Sequence, residues 1–224
     1  SQVSTDVYPY AQILIDSIES NSNCTEPIFF MTWGRKYGDQ QNCQFYPPIC
    51  TYSGMQQRLK ESYLEMTLTH DASCAPVGLA WKESISQDSL LNLYTSDNSH
   101  PNIYGSYLAA CTFYATIFKK SPIGSSFIPT FIDSATALFL QTIASNVVLD
   151  SLSNWNIFNS QFSSSINEDS VFFNNQSSNY ENVVWDFGDG NISTNIDPIH
   201  VYQNPGVYNV SLITSTNNTC VVDT

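Results

Sequence analysis

Asp97-Asn98-Ser99-His100-Pro101 sets a carboxylate three residues ahead of an imidazole. Across a tight turn, that spacing lets the carboxylate accept a hydrogen bond from one ring nitrogen, which fixes the tautomer and leaves the other nitrogen as a base. Asp97 and His100 are therefore read as catalytic, the acid and base members of a set whose third member is a nucleophile. Pro101 suits the first position of a helix, where its missing N–H costs nothing, and Ile103, Tyr107, Cys111, Tyr114, Ala115 and Phe118 follow on one stripe. The spacing predicts a helix over 103–118 with His100 at its cap. The positive end of such a helix disfavours an imidazolium while the carboxylate favours it, a balance suited to a general base. Trp33 and Arg35 follow an apolar run that reads as a strand, and strand ends are where α/β sheets form binding crevices, so both are expected to contact substrate. Arg35 has a competing use in an ion pair with Asp39.

The elements that must hold these residues alternate between helix and strand up to about residue 150. The pattern predicts a helix over 7–20, a strand over 27–33, a long loop over 34–52 and a helix over 53–69, with Met55, Leu59, Tyr63 and Met66 on its apolar face. A strand over 75–79 and a helix over 128–148, striped by Phe131, Ala135, Phe139, Ile143 and Val147, complete the series. This is α/β order, so residues 1–150 are expected to form a parallel sheet with helices on both faces. Over 159–224 the pattern changes to short alternating strands, 170–174, 183–187, 199–202 and 207–213, which predict an all-β sandwich.

Two resemblances sharpen these expectations. Leu93-Tyr94-Thr95-Ser96-Asp97-Asn98-Ser99-His100-Pro101 and the helix after it resemble the last block of the SGNH (GDSL-like) hydrolases. Pro27 to Arg35 with Gly38-Asp39 is similar to the central strand and active-site loop of one bacterial branch of that family, and Pro76-Val77-Gly78-Leu79-Ala80-Trp81 to the strand before its final helices. The resemblance implies a flavodoxin-like sheet and a serine ester hydrolase. The nucleophile block, Gly-Asp-Ser or Gly-Asn-Ser, does not occur in the sequence, so residues 1–150 are expected to be an N-terminally truncated part of that domain, inactive alone. Ser53 and Ser106 fall in helices, and there is no Gly-x-Ser-x-Gly elbow to replace the missing serine. In the second half, Trp185-Asp186-Phe187-Gly188-Asp189-Gly190 resembles the signature of the PKD family, immunoglobulin-like domains, and His200-Val201-Tyr202 with Pro205-Gly206-Val207-Tyr208 matches its second half. Asp189-Gly190 is expected to make a turn of positive φ, with Trp185 and Phe187 pointing to one face. Asp186 and Asp189 are too few for calcium and are read as turn residues.

Composition narrows the partners. Seven basic against 20 acidic residues, a net charge of −13, argue against nucleic acid and anionic membranes. From 159 to 224 there is no Lys or Arg, so contact through the sandwich is expected to be with neutral cell-surface glycan, if with any polymer. The most apolar stretch, 135–149, is too short and too interrupted to span a bilayer. Six cysteines favour a secreted or cell-surface protein, and the resemblance to a bacterial branch of the hydrolase family implies a bacterial one. Cys43 is expected to pair with Cys50 and Cys24 with Cys74, Cys111 to be a core thiol, and Cys220 to lack a partner within the chain. No Cys-x-x-Cys occurs and the three histidines are dispersed, so no metal or cofactor is called for. Two functions of different class follow. One is a secreted ester hydrolase acting on an acylated carbohydrate or small ester; the other is a non-catalytic adhesion protein with a degenerate hydrolase-like domain and a PKD spacer.

Overall fold

The computed structural model describes residues 5–21, 25–178, 180–215 and, for the backbone, 220–223. The chain divides into two compact units, one of residues 1–9 with 28–156, the other of 10–27 with 157–224. The helix α1 (Tyr8–Asn21) straddles the division, with Tyr8 set edge-on to the His70 ring at 5.4 Å.

In the first unit, β1 (Ile28–Phe30) pairs in parallel with β2 (Ser73–Ala75), Phe29 lying opposite Cys74. This pair is what the described residues hold of the expected parallel sheet. The helices α2 (Tyr52–Thr69), α3 (Val77–Gln87), α4 (Ile103–Phe118) and α5 (Ser134–Leu149) surround it in sequence. Three of these four helices start at a capping side chain. Thr51, Asn102 and Asp133 each accept a hydrogen bond from a backbone N–H of the first turn that would otherwise have no partner. Asn102 accepts two, from Tyr104 and Gly105, so Asn102→Ala is expected to cost about 1 kcal/mol, read as a lower urea midpoint for this unit.

The first unit departs from four sequence expectations. The run from Pro76 is helix, not strand: β2 ends at Ala75 and α3 begins at Val77. A short apolar run fits either period, and close packing decides, since a Cβ on Gly78 would lie 2.1 Å from the Thr32 carbonyl oxygen. The last helix starts at Ser134 because Asp133 caps it, and its buried face runs through Ala137, Leu140, Ala144 and Val148 together with the expected Ile143, leaving Phe131 and Ala135 exposed. The apolar stripe of α4 buries Tyr107, Cys111 and Ala115 but exposes Ile103, Tyr114 and Phe118, and α2 buries Met66 alone of its expected apolar face. The core joins Val77, Ala80, Trp81, Leu93, Tyr94, Leu108 and Leu140.

Cys43 and Cys50 form the expected disulfide across the 3-10 turn Pro47–Cys50. Cys74 is a free buried thiol, so the expected bond to Cys24 does not form; the register puts Phe29, five residues after Cys24, beside Cys74. Burial pushes the Cys74 thiol up to about 12 and that of Cys111, also free, to about 11. Cys24 and the side chain of Cys220 lie outside the described residues.

The second unit contains two antiparallel sheets. One is ordered β3 (Phe162–Asn167), β4 (Ser170–Asn175), β7 (Ile199–Val201); the other β6 (Ile192–Ser193), β5 (Asn182–Asp186), β8 (Ser211–Ser215), β9 (Cys220–Asp223). Phe173, Val183, Trp185, Phe187 and Leu212 make its core, so Trp185 and Phe187 do share the inner face. The strand expected over 207–213 is Ser211–Ser215 instead, Val207 being fully exposed. Gly188 and Gly190 take φ of 75° and 90°, the positive values a tight turn needs.

Candidate functional site

Residues 93–102 form a small hairpin of backbone. Asn102 N–H donates to the Leu93 carbonyl and Thr95 N–H to the His100 carbonyl, each at 2.9 Å, and Tyr94 bridges Pro101. The loop between turns through Asn98 at φ 59°, a left-handed conformation that asparagine tolerates. Within this loop Asp97 is the organising group. Its Oδ1 accepts from Thr95 Oγ1 at 2.7 Å and from the backbone N–H groups of Ser99 and His100 at 2.9 Å. Its Oδ2 faces His100 Nδ1 at 2.5 Å.

Hydrogen bonds from the His100 ring, then from the His100 and Ser99 amides and the Thr95 hydroxyl, hold the Asp97 carboxyl well below the usual carboxylate range. It therefore stays ionised and fixes the Nδ1–H tautomer of neutral His100, leaving Nε2 with a free lone pair. The His100 side chain is 77% exposed, and among the described residues Nε2 has no hydrogen-bond partner. His100 does not cap α4 as expected. Asn102 takes that place because its short side chain reaches the two N–H groups, while Pro101 is held in the bridge to Tyr94.

Trp33 and Arg35 lie just after β1. The Trp33 ring stacks on Trp81 at 4.1 Å and 8°, and its Nε1–H donates to the Ser99 carbonyl at 2.9 Å. Lys36 N–H donates to the Asn98 carbonyl at 2.9 Å. The segment after β1 thus meets the Asp97–His100 loop at two points. Arg35 Nη1 contacts Asp39 Oδ1 at 3.1 Å, the competing arrangement that the sequence allowed. Asp39 also takes the Asn42 side-chain amide and the N–H groups of Gln41 and Asn42, and these interactions lower its carboxyl. A separate cleft of about 580 Å³ is lined by Tyr107, Cys111, Tyr114 and segment 121–127, and by none of the four candidate residues.

Sequence reasoning missed several supports of the loop. Thr95 had a legible signal, a hydroxyl two residues before a turn carboxylate. Tyr94, whose hydroxyl donates to the Gly34 carbonyl at 2.7 Å, and Gln56, whose Oε1 accepts from Gly34 N–H at 2.8 Å, had none, since both contacts are remote in sequence.

In the second unit, Asp186 and Asp189 serve the turn. Asp186 Oδ1 accepts from Gly188 N–H and Asp189 Oδ1 from Asn191 N–H. Asp189 Oδ2 meets His200 Nε2 at 2.8 Å, and the His200 ring lies flat on Phe187 at 4.1 Å. Burial opposes ionisation of Asp189, but the Asn191 backbone N–H, the His200 ring and the Asn191 amide outweigh it and hold the carboxyl at about 2. Because that value is depressed, the stabilisation is present above the unfolded carboxylate range, about pH 4, and is lost as pH falls toward 2. The melting temperature of this unit, followed at the Trp185 amide by NMR, is expected to drop across that window. Asp189→Asn is expected to flatten the drop.

The PKD domain profile matches residues 160–224. A stretch of 30 residues is 57% identical to collagenase ColQ1 of Bacillus cereus (strain Q1); it amounts to 13% of this chain and spans about 3% of that protein's length. The PKD1 domain of the Vibrio cholerae metalloprotease PrtV is similar at 28% identity over 30% of this chain and 88% of that one, with a TM-score of 0.29. A DUF4886 family protein from Bacteroides uniformis ATCC 8492 shares its fold at 18% identity and a TM-score of 0.50, over 56% of this chain and 48% of that one. That share exceeds what the sandwich-bearing unit contains. The signature turn, the two antiparallel sheets and the shared core of Trp185 and Phe187 agree with the PKD domain profile, and residues 160–224 are a PKD domain.

Proposed function

We propose that residues 28–156 are part of a secreted serine ester hydrolase of the SGNH kind, acting on an acylated carbohydrate or small ester, with His100 as general base and Asp97 as its orienting acid. The observation that carries this reading is the Asp97 Oδ2 to His100 Nδ1 contact at 2.5 Å, with the opposite ring nitrogen open. In the reaction, Nε2 takes the proton of a serine hydroxyl as that oxygen bonds to the acyl carbon. The imidazolium then returns the proton to the departing alkoxide, and water repeats the sequence to free the acid. No Gly-Asp-Ser or Gly-Asn-Ser block occurs among these 224 residues, so the serine and oxyanion donors are proposed to come from other polypeptide of the parent protein. Trp33 and Arg35 flank the site on this reading, and no cofactor is needed.

An extracellular setting is supported by the PKD domain and by the Cys43–Cys50 disulfide. Among the described residues no helix is long and apolar enough to cross a membrane. The sandwich is proposed to act as a spacer or glycan contact. The test is hydrolysis of p-nitrophenyl acetate and acetylated xylan by the full-length parent, wild type against His100→Ala. Equal rates sink the enzyme reading, and a PKD-bearing surface protein without chemistry is what survives.

A further inference from the structure

The Ser99–His100 peptide unit is held at both ends. Its N–H, that of His100, donates to Asp97 Oδ1 at 2.9 Å, and its carbonyl, that of Ser99, accepts from the Trp33 indole at 2.9 Å. Rotation of this peptide plane is the local motion that would swing the His100 ring away from Oδ2, because the plane leads directly into the His100 Cα. One end is tied within the loop, and the other is tied to a different part of the chain. The indole itself is held in place, lying flat on Trp81, which is wholly buried and meets Tyr94 edge-on at 5.3 Å. The preceding carbonyl, Asn98, is also fixed by Lys36 N–H. Two consecutive residues of the loop, the left-handed Asn98 and Ser99, are therefore registered against the segment that follows β1.

We propose that Trp33 is a positioning residue for His100, acting through the Ser99 carbonyl, rather than a residue that binds substrate through its indole N–H. That donor is already committed inside the protein. The inference rests on the assignment of His100 as base but is tested separately from it.

Trp33→Phe keeps a ring to stack on Trp81 and deletes the N–H. In the 224-residue chain, ring ¹⁵N shifts are expected to show the ratio of Nδ1–H to Nε2–H tautomer of neutral His100 falling about fivefold, the worth of one neutral hydrogen bond, with far-UV circular dichroism unchanged. In the full-length parent, kcat is expected to fall about tenfold with KM within about twofold, because orientation is lost and substrate contact is not. A folded Trp33→Phe chain with an unchanged tautomer ratio overturns the proposal. If the variant does not fold, the wild-type chain decides: deuterium exchange of the Trp33 indole slowed about 100-fold relative to free indole is expected for a committed donor, and exchange at the free rate overturns it. A tautomer shift in Trp33→Phe combined with full ester hydrolysis by His100→Ala supports the positioning role while overturning the hydrolase reading.

Discussion

His100→Ala is expected to lower ester hydrolysis by the intact parent about 10³-fold or more, in kcat rather than KM, with folding of the chain unchanged. General-base catalysis by a positioned imidazole is typically worth about 10²–10⁴-fold, and loss of one member of a base–nucleophile set disables the others with it. Folding is expected to survive because the ring is 77% exposed and packs on nothing the core needs. Asp97→Asn sharpens the test. An asparagine carbonyl can replace Oδ1 and keep the bonds from Thr95, Ser99 N–H and His100 N–H, so the loop is preserved. Its NH₂ then stands where Oδ2 met Nδ1 and donates to it, which moves the ring proton to Nε2 and removes the base. A loss approaching that of His100→Ala, on an unchanged circular dichroism spectrum, is the expected result. Retention of activity in Asp97→Asn would mean that the carboxylate orients nothing.

Trp81→Ala is expected to cost the first unit about 3–5 kcal/mol, the usual price of truncating a large buried aromatic. Trp81 is 0% exposed and is gripped on several sides: Trp33 stacks on it, Tyr94 meets its edge, and α4 approaches so closely that a Cβ on Gly105 would lie 2.2 Å from its ring. The cavity left behind cannot collapse easily, since α4 and the 93–95 segment are tied together by the Leu93 carbonyl and Asn102. Urea unfolding followed by amide exchange of α3 and α4 measures the loss. A cost below about 1 kcal/mol would show that the aromatic stack is not a structural centre of this unit. Because Trp33 loses its stacking partner in the same variant, the Asp97–His100 loop is expected to loosen with it.

The division between what could be read from the chain and what could not follows sequence separation. Asp97 and His100 were legible because a carboxylate three residues from an imidazole needs only one tight turn to reach it, and the Trp185–Gly190 signature because its turn and alternation are local. The Cys43–Cys50 bond belongs to the same class, since its loop is short. The face of α5, the helix at Val77 and the cap at Asn102 were misread, because each competes with an alternative of nearly equal local preference that packing settles: the fit of Gly78 under Thr32, the bridge holding Pro101, and the side of α5 that meets Tyr107 through Gln141. The hold of Trp33 on Ser99, 66 residues apart, could not be seen at all. Propensity and spacing act over a few residues, whereas which donor finds which distant carbonyl depends on burial, where an unpaired polar group is costly enough to select one folded arrangement over its rivals.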